Sequence, residues 1–264
     1  MKKILSKREG DFKMAVDALV LAGGKLKGIN VENVSTKGMI NLEGKPMVEY
    51  VIDALKECSE VGKVIVTVPP SVSLEDWAKK VDKVLVTDNS ITENIYAGMS
   101  YLKSNGFLLV ISADMPLITG LAIERFLKKC EKVEADLYYP IISRDEMDKK
   151  FPKTKRTYGR FKDGDYTGGN LGLIGSKMFE KNREFFEEIY LLRKSPFKLA
   201  QLLGFGFILK FLLGLATISE AEKKLSNLLG ANGVAIISDA EVGIDVDKDD
   251  DLIYVGEVIR KGKR

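Results

Sequence analysis

The chain has 264 residues, of which 45% are hydrophobic, so it is long and apolar enough to bury the core of one large α/β domain. Its 41 basic and 38 acidic residues leave a formal net charge of +3, which is too small to favour nucleic acid as a partner. The chain contains no histidine, and this excludes a Ser-His-Asp triad and a His-ligated zinc site.

The cysteines and the first residues of the chain indicate the cellular compartment of the protein. Cys58 and Cys130 are the two cysteines, and they lie far apart in the sequence. Two isolated thiols indicate a reducing compartment rather than a disulfide scaffold. Residues 1–14 are basic but lack the apolar segment of a secretory signal. We therefore expect a cytoplasmic protein.

Apolar strands and amphipathic helices alternate over the first 140 residues. The strands are predicted at residues 16–22, 63–68, 83–87, 106–112 and 135–142, and the helices between them near 46–58, 74–80, 91–104 and 119–132. Pro46 is expected at the first helical position, where its missing N–H costs nothing. This alternation predicts a parallel sheet covered by helices on both faces.

The first strand ends in two glycines, Gly23 and Gly24. Because glycine has no Cβ, a phosphate group can approach the backbone N–H groups of such a loop closely. The alternative is an ordinary turn after a strand. Asp88 and Asp114 also follow predicted strands, and ligands of parallel sheets bind beyond the carboxyl ends of the strands. We therefore expect the glycines and the two aspartates to converge.

Two acidic segments are candidates for a metal site. Asp114 follows an apolar strand and precedes Met115-Pro116, and a carboxylate in this position suits Mg²⁺, although it is also a candidate helix N-cap. Asp245 and Asp247 alternate in an extended segment, so one of them is expected to complete the site with Asp114. The following aspartates, 249–251, are expected to begin the last helix.

The second half of the chain is less regular. Residues 144–164 are charged and predict an exposed excursion or hairpin, whereas residues 166–174 predict a strand marked by glycines. Residues 197–218 are apolar but are interrupted by lysines and glycines, so they do not predict a membrane span. A buried helical subdomain or a contact between copies of the chain is the favoured interpretation, and association with a membrane surface stays open. A helix at 219–229 and a strand at 233–237 are expected to follow.

Several short motifs of this chain together resemble those of one enzyme superfamily. They are Leu21-Ala22-Gly23-Gly24 with Lys37 and Gly44-Lys45-Pro46-Met47, then Ser112-Ala113-Asp114-Met115-Pro116-Leu117, then Gly168-Gly169-Asn170, and the segment from Asp245 to Leu252. In combination they are similar to the nucleotidyltransferase superfamily, and the MobA-like branch is the nearest. The resemblance implies a three-layer α/β/α Rossmann-like fold of the GT-A type, with a mostly parallel mixed sheet and a helical insertion near residues 195–230. It also implies a single domain over residues 1–264, with a nucleotide-binding half at about 15–140 and an acceptor-binding half at about 141–255.

The resemblance further implies a Mg²⁺-dependent enzyme that transfers a nucleotide from a nucleoside triphosphate to a small phosphorylated acceptor and releases pyrophosphate. The implied roles are catalysis by Lys37, Asp114 and Asp245; metal binding by Asp114 and Asp245; nucleotide binding by Leu21, Ala22, Gly23, Gly24, Lys37 and Asp88; and acceptor binding by Gly168, Gly169 and Asn170. Lys37 and Lys45 are the cations expected beside the phosphates. A homodimer through residues 197–218 is possible on this interpretation.

The chain departs from the family at one position. The family usually has an arginine four residues after the second glycine, whereas this chain has Gly28 there, with Lys25 and Lys27 as neighbouring point charges. This departure motivates a second hypothesis, a non-catalytic nucleotide-binding regulatory protein. A third is a glycosyltransferase on the same fold, although its usual Asp-x-Asp motif would have to be the late pair Asp245 and Asp247.

Overall fold

The structure is a computed structural model that describes residues 15–32, 34–104, 106–192 and 204–262. The strands are β1 (Val16–Leu21), β2 (Asn41–Leu42), β3 (Lys45–Pro46), β4 (Val61–Val68), β5 (Lys83–Val86), β6 (Phe107–Ser112), β7 (Leu137–Ser143), β8 (Gly159–Phe161), β9 (Gly164–Gly168), β10 (Leu171–Gly175) and β11 (Gly233–Ile237). The α-helices are α1 (Met47–Glu57), α2 (Ile91–Leu102), α3 (Gly120–Cys130), α4 (Arg144–Lys150), α5 (Ser176–Lys181), α6 (Arg183–Leu192), α7 (Phe205–Leu212), α8 (Ile218–Leu229) and α9 (Asp249–Gly262). Short 3₁₀ helices cover Lys37–Met39, Asp76–Lys80 and Ala240–Gly243.

One large sheet runs through both halves of the chain. Its strand order is β5-β4-β1-β6-β10-β7-β9-β8, and β11 pairs with β7, while β2 and β3 form a separate pair. The strands β5, β4, β1 and β6 are parallel to one another, whereas β10 is antiparallel to both β6 and β7. The prediction of a mixed sheet is therefore confirmed.

Helices cover both faces of the sheet, as the alternation of apolar residues along β1 requires. Ala18 and Val20 belong to a core that also contains residues of α1, α3 and α9. Leu19, which points to the opposite face, belongs to a second core with residues of α2, α5 and α8. The chain thus has the predicted three layers, and α7 and α8 lie within the predicted helical insertion.

Several local predictions need correction. Pro46 is the N-cap of α1 rather than its first helical residue. Residues 166–174 form parts of two strands, because the chain turns at Gly169 and Asn170 between β9 and β10. The segment 144–164 is not simply exposed, since it contains α4 and β8 and buries Met147 and Phe151 in the core.

The apolar segment at 197–218 lies partly outside the described residues, which resume at residue 204. Within the described part, none of the residues of α7 is buried, so a buried helix is wrong there. Phe205 is 80% exposed and Leu212 is 75% exposed. No helix among the described residues is long and apolar enough to cross a membrane.

Candidate active site

The register of the central strands brings the predicted site segments together. Leu21 at the end of β1 lies opposite Ser112 at the end of β6, and the Ala113 N–H donates to the Leu21 carbonyl at 3.1 Å. The Ser112 N–H donates to the Asn170 carbonyl at 3.0 Å, and the Val246 N–H donates to the Asp114 carbonyl at 2.9 Å. The glycine loop, Asp114, Asn170 and the late acidic segment therefore meet at one edge of the sheet. The meeting of the glycines with Asp114, and of Asp114 with the late acidic segment, was predicted.

A cleft of about 680 Å³ opens beside the glycine loop. Five of the six predicted nucleotide-binding residues line it, whereas the sixth, Ala22, is buried. The predicted lining residues are Leu21, Gly23, Gly24, Lys37 and Asp88, and further polar lining residues are Lys25, Lys27, Thr67, Thr87, Asn89, Ser90, Asn94 and Ser112. Three lysines thus face one cleft, which gives it an environment suited to a polyanion.

The protein's own packing does not require glycine at positions 23 and 24. Neither residue has a left-handed backbone, and a Cβ on Gly23 would come no closer than 3.9 Å to another atom, the Pro69 Cδ. A Cβ on Gly24 would lie 3.7 Å from the Lys37 side chain, which is an ordinary van der Waals distance. Because both residues line the cleft, the absence of a side chain there leaves room for a ligand.

Three carboxylates form an acidic cluster at the end of the cleft. One oxygen each of Asp114, Asp245 and Asp247 lies within 4.8 Å of the others. Asp114 and Asp245 are buried, whereas Asp247 is exposed. Lys37 donates to Asp114 Oδ2 at 3.3 Å and also to Asp247, so it joins the cleft to the acidic cluster.

Arg156 is the functional-site residue that the sequence analysis missed. Its guanidinium pairs with the Asp245 carboxylate and donates to the Asp245 carbonyl at 2.7 Å. The two side chains are only 10% and 12% exposed, so this is a buried ion pair. No local pattern in the charged segment around Arg156 identifies it, because its partner lies 89 positions away along the chain.

The surrounding hydrogen bonds decide between the alternative roles of the aspartates. The N-cap of α3 is Thr119, whose hydroxyl accepts from the Ala122 N–H, so Asp114 does not cap that helix. Asp249, Asp250 and Asp251 begin α9, as predicted. Asp251 Oδ2 accepts from the backbone N–H groups of Asp247 and Lys248, both at 3.1 Å, and so fixes the end of the acidic segment.

Burial and neighbouring charges shift the pKa values of Asp245 and Lys37. Burial raises the pKa of Asp245 to about 6; Arg156 opposes this shift, whereas the carboxylates of Asp114 and Asp247 add to it. Burial lowers the pKa of Lys37, but the hydrogen bond to Asp247 and the charges of both aspartates outweigh it and leave this pKa above its ordinary value. Lys37 therefore stays protonated, and it supplies a fixed positive charge beside the cleft.

The donor set fits a hard divalent cation. Carboxylate oxygens are the protein ligands that Mg²⁺ prefers, usually one or two together with phosphate oxygens and water. The buried carboxylates Asp114 and Asp245 match this requirement, and Asp247 is a third oxygen donor. Lys37 and Arg156 balance two of the three negative charges, so the cluster keeps an excess of one negative charge.

Gly28 occupies a position where a larger residue would be strained. Its φ is +87°, and a Cβ there would lie 3.2 Å from the Asp247 carbonyl oxygen. An arginine at this position would require the loop to change, whereas Lys25 and Lys27 already line the cleft. Lys45, the other cation expected beside the phosphates, instead pairs with Asp53 and lies 4.2 Å from the Tyr50 ring centroid.

The residues predicted to bind an acceptor lie between β9 and β10. A Cβ on Gly168 would lie 2.2 Å from Tyr139 Oη, and one on Gly169 would lie 2.8 Å from atoms of Pro140 and Val242. Packing therefore explains both glycines. The half-buried Asn170 side chain makes no hydrogen bond to the residues that the structure describes, so its amide is available to a ligand.

A family model identifies the chain. The model of the MobA-like NTP transferase domain matches residues 18–195, which include the glycine loop, Lys37, Asp114 and Asn170. The chain belongs to this family.

Known proteins agree with that assignment. A hypothetical transferase from Thermus thermophilus is 32% identical and superposes with a TM-score of 0.80, over 90% of this chain and 100% of that one. The 2-C-methyl-D-erythritol 4-phosphate cytidylyltransferase of Clostridium botulinum is 28% identical over 127 residues, which are 46% of this chain and 56% of that protein. The probable molybdenum cofactor guanylyltransferase of Natranaerobius thermophilus is 28% identical over 130 residues, 48% of this chain and 61% of its own. This MobA-like chain therefore matches between half and two thirds of the length of these two curated relatives.

Proposed function

We propose that this MobA-like chain transfers a nucleoside monophosphate from a nucleoside triphosphate to a small phosphorylated acceptor and releases pyrophosphate. The observation that carries the proposal is a lysine-lined cleft beside an acidic cluster, with Lys37 lining the cleft and contacting the cluster. The names of the relatives support the same reaction type, because one is a cytidylyltransferase and the other a guanylyltransferase.

The reaction needs positioned charges rather than a protein nucleophile. A phosphate oxygen of the acceptor forms a bond to the α-phosphorus of the triphosphate. The bond from that phosphorus to the bridging oxygen breaks, and pyrophosphate leaves with the electron pair. A chain without histidine is suited to such a mechanism, because positioning and electrostatic stabilisation supply most of the rate of phosphoryl-group transfer.

Each part of the site has a role in this proposal. The N–H groups of Gly23 and Gly24 bind the triphosphate, and Lys37 neutralises the charge that develops on it. Asp88 binds the nucleoside, and Asn170 contacts the acceptor. A Mg²⁺ ion held by Asp114 and Asp245 would supply further positive charge to the phosphate oxygens.

Asn94 is the residue that we expect to read the base. It lies on α2 and lines the cleft, and its side-chain oxygen is buried without a hydrogen-bond partner among the described residues. A buried acceptor without a partner costs free energy, which an amino group of a bound base would recover. This oxygen therefore favours a base with an exocyclic amine over one without.

The test is pyrophosphate release with each of the four nucleoside triphosphates, Mg²⁺ and a panel of phosphorylated acceptors. We expect Asp114→Asn to lower turnover by about a hundredfold or more, because it removes a charge that acts on the transition state. Asp250→Asn is the matched control, since it makes the same change at an exposed position of α9. If the Asp114→Asn rate stayed within a few-fold of wild type, the assignment of Asp114 to the metal site would be wrong.

The same assay separates the two alternative functions. Tight nucleotide binding, without pyrophosphate release from the triphosphate in the presence of any acceptor, would favour the regulatory protein that the glycine at position 28 suggested. Release of a nucleoside diphosphate from a sugar nucleotide, with no use of triphosphates, would favour the glycosyltransferase.

A further inference from the structure

A second cavity lies on the acceptor side of the sheet, and we call it the apolar cavity. It measures about 390 Å³ and lies between strands β7, β8 and β11 and the helices α7 and α8. The lining residues that matter below are Tyr139, Phe161, Phe211, Ala221, Glu222 and Ala235. Its volume is within the range of small-molecule sites, which is about 300–1,000 Å³.

The lining defines the chemical class of an occupant. Glu222 is the single charged residue among the lining residues, and its carboxylate already accepts a hydrogen bond from the Ala235 N–H at 2.8 Å. The other lining groups are almost all aliphatic or aromatic, so they offer a polar ligand no partners. An apolar cavity binds apolar groups and is not stabilised by water. Hydrocarbon is therefore the chemistry that the apolar cavity accepts.

The helix α7 closes one side of the apolar cavity and is attached to the β8–β9 hairpin. The Phe161 and Phe211 rings meet at 5.3 Å between centroids. The Lys162 N–H donates to the Ala216 carbonyl at 2.8 Å, and the Ile218 N–H donates to the Asp163 carboxylate at 2.8 Å. Because these contacts hold both ends of the segment after α7, the cavity is a feature of the fold rather than of one side-chain arrangement.

Tyr139 connects the apolar cavity to the acceptor side of the active site. Its ring lines the cavity, while its hydroxyl occupies the space beside Gly168, two residues before Asn170. Burial raises the pKa of this hydroxyl, and the charge of Asp245 raises it further. One side chain thus faces hydrocarbon space on one side and the candidate acceptor position on the other.

We propose that the acceptor is an amphiphile: a phosphate monoester whose alkyl or isoprenyl chain fills the apolar cavity while its phosphate faces the acidic cluster. This inference rests on the proposed nucleotidyl transfer and adds the class of acceptor.

The binding test uses straight-chain alkyl phosphates from butyl to decyl, below their micelle concentrations, in calorimetric titrations of the full chain with Mg²⁺ and without nucleotide. We expect affinity to rise by about fourfold for each added methylene until the cavity is full, since each buried methylene contributes a constant free energy. Ala221→Trp, which fills the cavity, should abolish this dependence, whereas Lys223→Trp on the exposed side of α8 should preserve it.

The activity test contains Mg²⁺, an alkyl phosphate and each nucleoside triphosphate in turn, and it measures the release of pyrophosphate. We expect the KM for octyl phosphate to be far lower than that for methyl phosphate in wild type but not in Ala221→Trp. A further comparison offers two acceptors, phosphatidic acid in phosphatidylcholine vesicles and soluble octyl phosphate. It decides whether the acceptor's hydrocarbon belongs to a membrane lipid or to a dissolved molecule.

The outcomes separate this inference from the proposed function. Affinity that rises with chain length, without pyrophosphate release from any triphosphate, would overturn nucleotidyl transfer and with it the role of the ligand as an acceptor. Pyrophosphate release with no dependence on chain length would support nucleotidyl transfer and overturn the amphiphilic acceptor. A wild-type affinity that does not depend on chain length, together with self-association that is lost in Ala221→Trp, would show that a second copy covers the cavity and would overturn the amphiphilic acceptor.

Discussion

Lys37 is the residue at which the cleft and the acidic cluster meet. Its backbone N–H donates to the Gly24 carbonyl at 2.8 Å, and its side chain bonds to Asp114 and Asp247. The sequence placed a cation beside the glycine loop, and the catalytic role of Lys37 stays a prediction. The partner Asp247 and the buried pair of Arg156 with Asp245 were not predicted, because both depend on contacts between distant parts of the chain.

The glycine loop supports a prediction about a single residue, Gly23. We expect Gly23→Ala to lower the affinity for nucleoside triphosphates by about tenfold or more, because a Cβ would block the approach of a phosphate to the backbone N–H groups. The melting temperature should stay the same or rise slightly, since the new Cβ meets no atom closer than 3.9 Å. Calorimetric titration and thermal unfolding measure the two effects.

Gly106→Ala is the matched control for this prediction. A Cβ on Gly106 would meet nothing within 4 Å, and the residue does not line the cleft. Its nucleotide affinity should equal that of the wild type. An unchanged affinity in Gly23→Ala would assign the two glycines to an ordinary turn instead of a phosphate site.

At the level of secondary structure, the pairing of strands brings the segments of the site together, and no single motif does so alone. The parallel register of β1 and β6 brings Leu21 next to Ser112, and the antiparallel β10 brings Leu171 opposite Ile111. The alternation of strands and helices predicted the parallel part of this arrangement. It did not predict that residues 166–174 divide into two strands, because the glycines were interpreted as lying inside one strand, whereas Gly169 belongs to the turn.

The close contact of α1 with α3 supports a prediction about stability. Gly120 is the first residue of α3, and a Cβ there would lie 2.8 Å from the Glu57 Cβ and 3.0 Å from the Ala54 carbonyl oxygen. We expect Gly120→Ala to lower the free energy of unfolding by about 1–3 kcal/mol, as overpacking of a tight contact does. Urea denaturation measures this loss.

Leu121→Ala tests whether the loss is specific to the contact. Leu121 is the next residue of the same helix and is 54% exposed, so its truncation should change stability by about 0.5 kcal/mol or less. Equal stabilities of Gly120→Ala and wild type would mean that α1 and α3 separate easily, which the packing of the two helices contradicts.

The molecule combines a regular first half with a second half that exposes several apolar side chains among the described residues. A single sheet includes strands of both halves, while the division into a nucleotide-binding and an acceptor-binding half stays a prediction. The helix α7 lines the apolar cavity with Phe207, Ile208 and Phe211, yet it also exposes Phe205 and Leu212 on its outer side. Exposed apolar groups of this kind often mark a contact with another molecule.

We expect this outer side of α7 to join two copies of the chain. Phe205→Glu combined with Leu212→Glu should shift the protein toward monomer in sedimentation equilibrium, because like charges would then face each other across the contact. Leu121→Glu, at an exposed position of α3, is the control and should leave the association unchanged. A wild-type chain that stays monomeric at all concentrations would contradict the expectation.

The sequence by itself determined the layered α/β class, the glycine loop and the acidic residues at strand ends, because these depend on local apolar periodicity and on residue chemistry. Only the tertiary structure decided that Thr119 rather than Asp114 caps α3, that Arg156 pairs with Asp245, and that an apolar cavity lies beside Tyr139. These features depend on contacts between residues that are distant along the chain. No local pattern encodes such contacts, since they form only when the strands and helices pack.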